Sequence, residues 1–292
     1  MLNSISPKKI SVIGLGQMGK KIAEMFVQKG FEVTVWNRTK EKATVANNTK
    51  IAKDVEEAVA QSKVSIICVL DNIAVTEILT RIDSKNILTG KIIINFTTGT
   101  PGEVKRLESR LANLGASYLN GAIQVAPDQM GLPDTTILMG GNKESFAMCQ
   151  DILAVLGGNI KFLGEHASAS PAMDMATLSW VYGSYVGLMY GVAFCQKEGI
   201  NLEDYRTIVG EIAPSFLEFY KHEINMIRQG NFNITQSPLS ISVGASQRIA
   251  DTVRSMGLDT DFTDVIAGLL RKAKDKGYEQ EEVAALIKVI AS

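Results

Sequence analysis

The segment Pro171–Gly183 reads PAMDMATLSWVYG, and Asp174 is the only Asp, Glu, Lys or Arg between Glu165 and Lys197. An ionised carboxylate among small, apolar and aromatic side chains is costly unless a counter-charge or hydrogen bonds offset the lost hydration. Two kinds of chemistry suit such a group. As an anion it stabilises positive charge developing beside it. Kept protonated by its surroundings, it is an acid that donates a proton. Tyr182 follows eight residues later. On a helix that is about 12 Å along the axis and about 80° around it. The two side chains cannot touch, but they can line one cleft, with the phenol holding a nitrogen or relaying a proton. Each residue has a plainer alternative. Pro171 marks a helix start, where the helix dipole favours an acid. Tyr182 suits simple packing with its hydroxyl tied to a neighbour.

A second constellation binds rather than reacts. GLGQMG places Gly14, Gly16 and Gly19 in the order G-x-G-x-x-G, after the apolar run KISVI and before a helical pattern. In that context the motif reads as a dinucleotide loop, a purely structural glycine turn being the alternative. Gly14 allows the tight turn, Gly16 lets a pyrophosphate approach the backbone, and Gly19 lets helix and strand pack closely. Leu15, Gln17 and Met18 complete the loop, and the helix start offers free N–H groups to the phosphates. At the end of the next strand an NAD-binding chain places an acid. Here the residues are Asn37, Arg38, Thr39 and Lys40. A guanidinium, a hydroxyl and an ammonium suit a 2′-phosphate that a carboxylate would repel. NADP(H) is therefore expected in preference to NAD(H). Leu70, closing the run VSIICVL, and Asn95 and Thr97, in INFTTGTPGE, stand at the carboxyl ends of further strands, where ligands of such sheets bind. Asn95 is expected to orient the nicotinamide ribose or the substrate, ordinary turn chemistry being the alternative.

These groups need a scaffold. Short apolar runs at 9–16, 31–37, 64–70, 91–97, 117–123 and 135–141 alternate with helical stretches such as 101–115. That alternation predicts a mainly parallel, doubly wound sheet covered on both faces. After about residue 164 strand signals stop, and helices are expected over 203–228, 238–256, 261–276 and 279–290. The expected division is an α/β domain at 1–165, a long interdomain helix at 166–197 and an all-helical domain at 198–292. The chain has 292 residues, 46% hydrophobic and 21% charged, enough to bury a core without disulfides. Its net charge of −1 gives no field to attract nucleic acid. Cys68, Cys149 and Cys195 lie far apart in apolar runs without metal-ligand spacing, and are expected to be buried thiols. No metal is expected. The polar start leads straight into a strand and does not read as a secretory leader. Met175–Gln196 carries no charge over 22 residues and is long enough to span a bilayer. Without flanking basic clusters or a second span it reads instead as a helix buried on all sides between domains or subunits, with Gly183, Gly187 and Gly191 as a packing ridge. A cytoplasmic protein without membrane partners is expected.

With GLGQMG, VWNRT, INFTTGTPGE, LGASYLNGAIQVAP and MDMATLSWVYG in this order, the chain resembles the imine reductases and reductive aminases, relatives of the β-hydroxyacid dehydrogenases. The match covers the chain to about residue 200, and the helical remainder is similar but less specific. The resemblance implies an N-terminal Rossmann domain, a long interdomain helix and a C-terminal helical domain. It also implies NADPH as coenzyme and a homodimer that exchanges its helical parts, with each active site between subunits. β-Hydroxyacid dehydrogenases carry a lysine at the start of the long helix, where its ammonium stabilises the alkoxide formed from a ketone. No lysine occurs here between Lys161 and Lys197, and Asp174 takes that place. A carboxylate opposes an alkoxide and favours an iminium cation, so reduction of C=N in place of C=O is expected. The substrates would be cyclic imines, or a ketone and an amine condensed in the site.

The same resemblance assigns Asp174 and Tyr182 to catalysis, and Asn95, Val125 and Trp180 to the substrate pocket. It adds Ser215 and Phe216, where many relatives are bulkier, and Ile241 and Ser242, where many carry methionine or glutamine. Aspartate at position 174 points toward the R-selective type. Two alternatives stand beside this reading: a β-hydroxyacid dehydrogenase with displaced machinery, and a catalytically silent NADP(H)-binding scaffold.

Overall fold

A computed structural model describes residues 9–39, 48–82 and 85–292. The chain divides into two compact units, Met1–Ser179 and Trp180–Ser292. In the first, β1 (Lys9–Ile13), α1 (Gln17–Gln28), β2 (Glu32–Trp36), β3 (Thr49–Ile51), α2 (Val55–Ala60) and β4 (Val64–Ile67) come in turn. They are followed by α3 (Asn72–Arg81), α4 (Lys85–Leu88), β5 (Ile92–Asn95), α5 (Pro101–Asn113) and β6 (Ser117–Ile123). Then come β7 (Thr136–Gly141), α6 (Lys143–Met148), α7 (Gln150–Leu156), β8 (Asn159–Phe162) and the first turns of α8 (Ala169–Glu198).

Among the described residues eight strands form one sheet in the order β3-β2-β1-β4-β5-β6-β7-β8, and within it only the β6–β7 pair is antiparallel. The strands are β-branched and apolar because both faces are covered. Ile10, Val12, Ile66, Ile92 and Ile94 point to one side, against Ile22 and Phe26 of α1. Ile13, Ile67 and Ile93 point to the other, against Val59, Leu79 and Leu111 of α2, α3 and α5. The order reverses between β1 and β4, which opens a crevice at their carboxyl ends.

Two strands escaped the sequence reading. β3 (TKI) and β8 (NIKF) sit at the two edges of the sheet, each only partly buried. Edge strands carry polar residues that resist further pairing, and so lose the apolar run that marks the inner strands.

The second unit holds the rest of α8, then α9 (Leu202–Gln229), α10 (Leu239–Ser255), α11 (Asp261–Asp275) and α12 (Ile287–Ile290). Leu239, Leu270, Ala273, Ala285 and Val289 form its small core. The helix expected over 279–290 is a correction: a 3-10 turn at Val283–Leu286 precedes the single turn of α12. Residues before it are used otherwise. The N–H groups of Leu239 and Ser240 donate to the carbonyls of Glu281 and Glu279.

Glu282 is fully buried, and its carboxylate accepts the N–H groups of Thr235, Gln236 and Ser237. Burial pushes that carboxyl up, but the three amides outweigh it and the net direction is down. Nearby Glu223 has no such nest, and both of its buried oxygens lack a hydrogen-bond partner. Burial first, then the charge of Glu282, raises its pKa. A raised folded-state pKa contributes stability at low pH that is lost as pH rises above the ordinary carboxylate range. Glu223→Gln is therefore expected to melt about 3 °C above the wild type at pH 8. The gap should close toward pH 4 in a pH series of thermal melts; a gap independent of pH would refute the charge argument.

The other correction concerns α8. It is apolar all round, and by length and composition alone it is apolar enough to cross a membrane. The sequence reading buries it on every side, yet within the single chain Trp180, Val181, Tyr182 and Tyr185 are exposed. The chain's own helices cover only part of it. Gly191 receives the Tyr205 hydroxyl and Tyr190 stacks on Phe262, whereas Gly183 faces open space. On α9, Ile208, Ile212, Phe216, Tyr220 and Ile224 form an exposed stripe at four-residue spacing. Cys149 and Cys195 are buried and Cys68 is half-buried, all as free thiols.

Candidate active site

The coenzyme side is built by the β1–α1 turn. Gly14 has φ +93°, and a Cβ there would collide with the Cys68 carbonyl. A Cβ at Gly19 would strike the Gly14 carbonyl. Both glycines are therefore required by packing. Gly16 differs, since a Cβ on it would meet nothing within 4 Å. The chain does not need glycine at 16 for its own packing, and the space above it suits a close-lying phosphate. Gly16 is also the N-cap of α1 without a side-chain cap, and no acid occupies the first turn. The helix start thus keeps free N–H groups for an anion.

These residues border a cleft of about 470 Å³ together with Trp36–Thr39, Cys68–Leu70 and one face of α3. Asn37 acts as a pin: its Oδ1 accepts the Leu15 N–H at 2.9 Å and its Nδ2 donates to the Thr39 carbonyl at 2.9 Å. Arg38 is exposed and lies 3.6 Å from Glu77. Lys40 lies outside the described residues. Leu70 is 87% exposed at the cleft edge. Burial pushes the Cys68 thiol up to about 11, so it lines the cleft as an unreactive neutral group. Sequence reasoning missed Ala74, Glu77, Ile78 and Arg81 on α3. Their three- and four-residue spacing puts them on one helix face, but only the fold brings that face to Arg38. The residues fit an NADP coenzyme: a cradle open at Gly16, a bare helix start, and Arg38, Thr39 and Arg81 along the cleft, whose charges and hydroxyl suit a 2′-phosphate.

Asn95 ends β5. It is fully buried, its Nδ2 donates to Asn72 at 3.1 Å and to the Tyr118 hydroxyl at 3.0 Å, and its Oδ1 accepts the Thr97 N–H. These bonds fix the end of β5. Thr97 is 2% exposed and its hydroxyl accepts the Val69 N–H at 3.1 Å, so it supports the cleft wall from behind.

The Asn95 network continues to the start of α8. Tyr118 donates to Asn120 at 3.1 Å, Asn120 Nδ2 lies 3.5 Å from Ser170 Oγ, and Ser170 donates to the Leu138 carbonyl at 3.0 Å. Burial raises the Tyr118 pKa, so its hydroxyl stays a neutral link. Gly140 lets the His166 carbonyl approach, since a Cβ there would come within 2.7 Å. Ser170 is thereby fixed to the sheet, and Asp174 stands one turn beyond it on the same helix face. Asp174 is half-buried, and its Oδ1 accepts Gln124 Nε2 at 2.6 Å. Gln124 follows the end of β6, next to half-buried Val125. The Thr177 hydroxyl lies 3.1 Å from Gln124 Oε1.

The remaining expected pocket residues belong to the second unit. Trp180 is 56% and Tyr182 65% exposed on α8. Ser215 and Phe216 are exposed on α9; on α10, Ile241 is exposed and Ser242 half-buried.

A switch-point cleft with a bare helix start, a basic strand end and a carboxylate fixed beside the sheet defines an NADP-dependent oxidoreductase. Comparison with known proteins narrows this. Residues 9–164 match the NAD-binding domain of 6-phosphogluconate dehydrogenase, and residues 166–292 match the C-terminal domain of NADPH-dependent reductive aminase-like proteins. An NADPH-dependent reductive aminase of Aspergillus oryzae is 30% identical over 96% of each chain. The reductive aminase of Aspergillus terreus, solved with NADPH and ethyl levulinate, superposes with a TM-score of 0.87 at 30% identity, covering 97% of this chain and 99% of that one. The imine reductase of Myxococcus stipitatus, solved with NADP⁺, gives 0.88 at 27% identity with the same coverage. The chain belongs to the family of NADPH-dependent reductive aminases and imine reductases.

Proposed function

We propose that this protein reduces the C=N bond of cyclic imines, and of iminium ions formed from a ketone and an amine, to the corresponding amines. NADPH, when bound, supplies a hydride. The chain's own residues do the rest. Arg38, Thr39 and the start of α1 hold the phosphates, Asn37 pins the glycine loop, and the cleft walls exclude water. The carboxyl of Asp174 faces the substrate nitrogen: as an anion it stabilises an iminium, and as an acid it gives its proton to a neutral imine. Tyr182 positions that nitrogen from the same helix. Val125, Trp180, Ser215, Phe216, Ile241 and Ser242 shape the substrate space.

The observation that carries the reading is the carboxylate of Asp174, hydrogen-bonded to Gln124 at the end of β6, in a stretch without lysine between Lys161 and Lys197. A carboxylate opposes the alkoxide of ketone reduction and favours the cation of imine reduction.

The second copy of the chain belongs to the same reading. The uncovered, all-round apolar length of α8 and the apolar stripe on α9 suit burial against another protomer in a cytoplasmic homodimer, and light scattering should give the dimer mass. The function is tested by NADPH oxidation against a panel of cyclic imines, with chiral analysis of the amines. Turnover of hydroxy acids with NADP⁺ and none with imines would overturn it in favour of the β-hydroxyacid dehydrogenase. Binding of NADPH without oxidation by any imine would leave a silent scaffold.

A further inference from the structure

Gln124 is the one side chain that binds the Asp174 carboxyl group in the described structure, and neither helix dipole nor hydride chemistry accounts for it. The contact joins residues fifty positions apart and is short, 2.6 Å from Nε2 to Oδ1. The other end of the same amide, Oε1, faces the Thr177 hydroxyl at 3.1 Å. Thr177 is three residues beyond Asp174, on the same helix face. One amide therefore bridges two side chains of α8 from the end of β6.

We propose that Gln124 is a positioning residue that holds Asp174 in both of its protonation states. The inference rests on the reading of Asp174 as the group that serves the substrate nitrogen. With Asp174 ionised, the arrangement is the one observed. Nε2 donates to the carboxylate, and the Thr177 hydroxyl donates to Oε1, which fixes which way the amide faces. The second carboxylate oxygen is left for the substrate. With Asp174 protonated, half a turn of the amide restores both bonds. Oε1 then accepts the proton-bearing carboxyl oxygen, and Nε2 donates to the Thr177 oxygen. The hydroxyl hydrogen is then taken up by the carbonyl of Met173 at 3.0 Å or of Asp174 at 2.9 Å. A side-chain amide offers a donor and an acceptor that exchange places when it turns. When Asp174 passes its proton to the nitrogen and becomes an anion, the pair rearranges without stranding a polar atom, which in a half-buried site would be costly.

Steady-state reduction of a cyclic imine by NADPH tests this in a double-mutant cycle with Asp174→Asn. Gln124→Met keeps the length and removes both polar ends. It is expected to lower kcat about tenfold, the weight of one hydrogen bond to a charged group, with the imine KM changed less than about threefold. NADPH binding, followed by fluorescence, should be unchanged and reports folding. In the Asp174→Asn background the same change should cost less than about twofold, because its effect passes through the carboxyl. Thr177→Val should cost about threefold and Thr177→Ser, which keeps the hydroxyl, should recover it. A wild-type kcat for Gln124→Met, or an equal loss in both backgrounds, overturns the proposal while leaving the reading of Asp174 intact. Full activity of Asp174→Asn alone overturns that reading instead. If Gln124→Met fails to bind NADPH, the Thr177 pair decides: equal activity of valine and serine refutes the bridge.

Discussion

Asp174→Asn is expected to lower kcat for imine reduction by two to four orders of magnitude while leaving the Kd for NADPH unchanged. The size follows from what a positioned acid or base contributes to proton transfer, about 10²–10⁴-fold. Asparagine keeps the shape and the bond to Gln124 but carries neither the charge nor the transferable proton. The unchanged Kd follows from geometry, because the coenzyme cleft is lined from Gly14–Gly19, Trp36–Thr39, Cys68–Leu70 and α3, and Asp174 is not among these residues. Single-turnover measurements with bound NADPH would separate the hydride step from product release. A kcat within threefold of wild type would make Asp174 a helix-start residue and nothing more.

The second large effect is on coenzyme choice. Arg38→Ala should weaken NADPH binding about 10- to 100-fold, the range of a charge-assisted hydrogen bond to phosphate, and change NADH by less than about threefold. Arg38 lies 3.6 Å from Glu77, with side chains 72% and 56% exposed. Such an exposed pair is worth only about 0–1 kcal/mol, so a 2′-phosphate bound at Arg38 would displace Glu77 at small cost. The preference should also fall with added salt, since the site is open to solvent. Equal losses for the two coenzymes, measured by titration with each, would remove Arg38 from the recognition of the 2′-phosphate.

Much of this was legible along the chain because the relevant physics is local. The glycine spacing, the apolar strand, the basic residues after Trp36 and the isolated acid in an uncharged stretch each act within a few residues. β3 and β8 were not legible, since an edge strand with a lysine has no continuous apolar run. Glu77 and Arg81 have helical spacing in plain view, yet their meaning depends on α3 packing beside the end of β2. Gln124 is an ordinary polar residue in GAIQVAP until the fold carries it to Asp174. Asn95 shows the same dependence on the fold. Its place at a strand end is legible in the sequence, whereas its partners Asn72 and Tyr118 are distant along the chain and only the fold brings them to it.

The buried run from Asn95 through Tyr118 and Asn120 to Ser170 fastens α8 by hydrogen bonds and not by apolar contact alone. Apolar surfaces tolerate a slip of an ångström, whereas a row of paired amides and hydroxyls has one alignment. The row ends one turn before the Asp174 carboxylate, so evolution or a designer can exchange the outer length of the helix and all that follows it while that carboxylate keeps its place on the sheet.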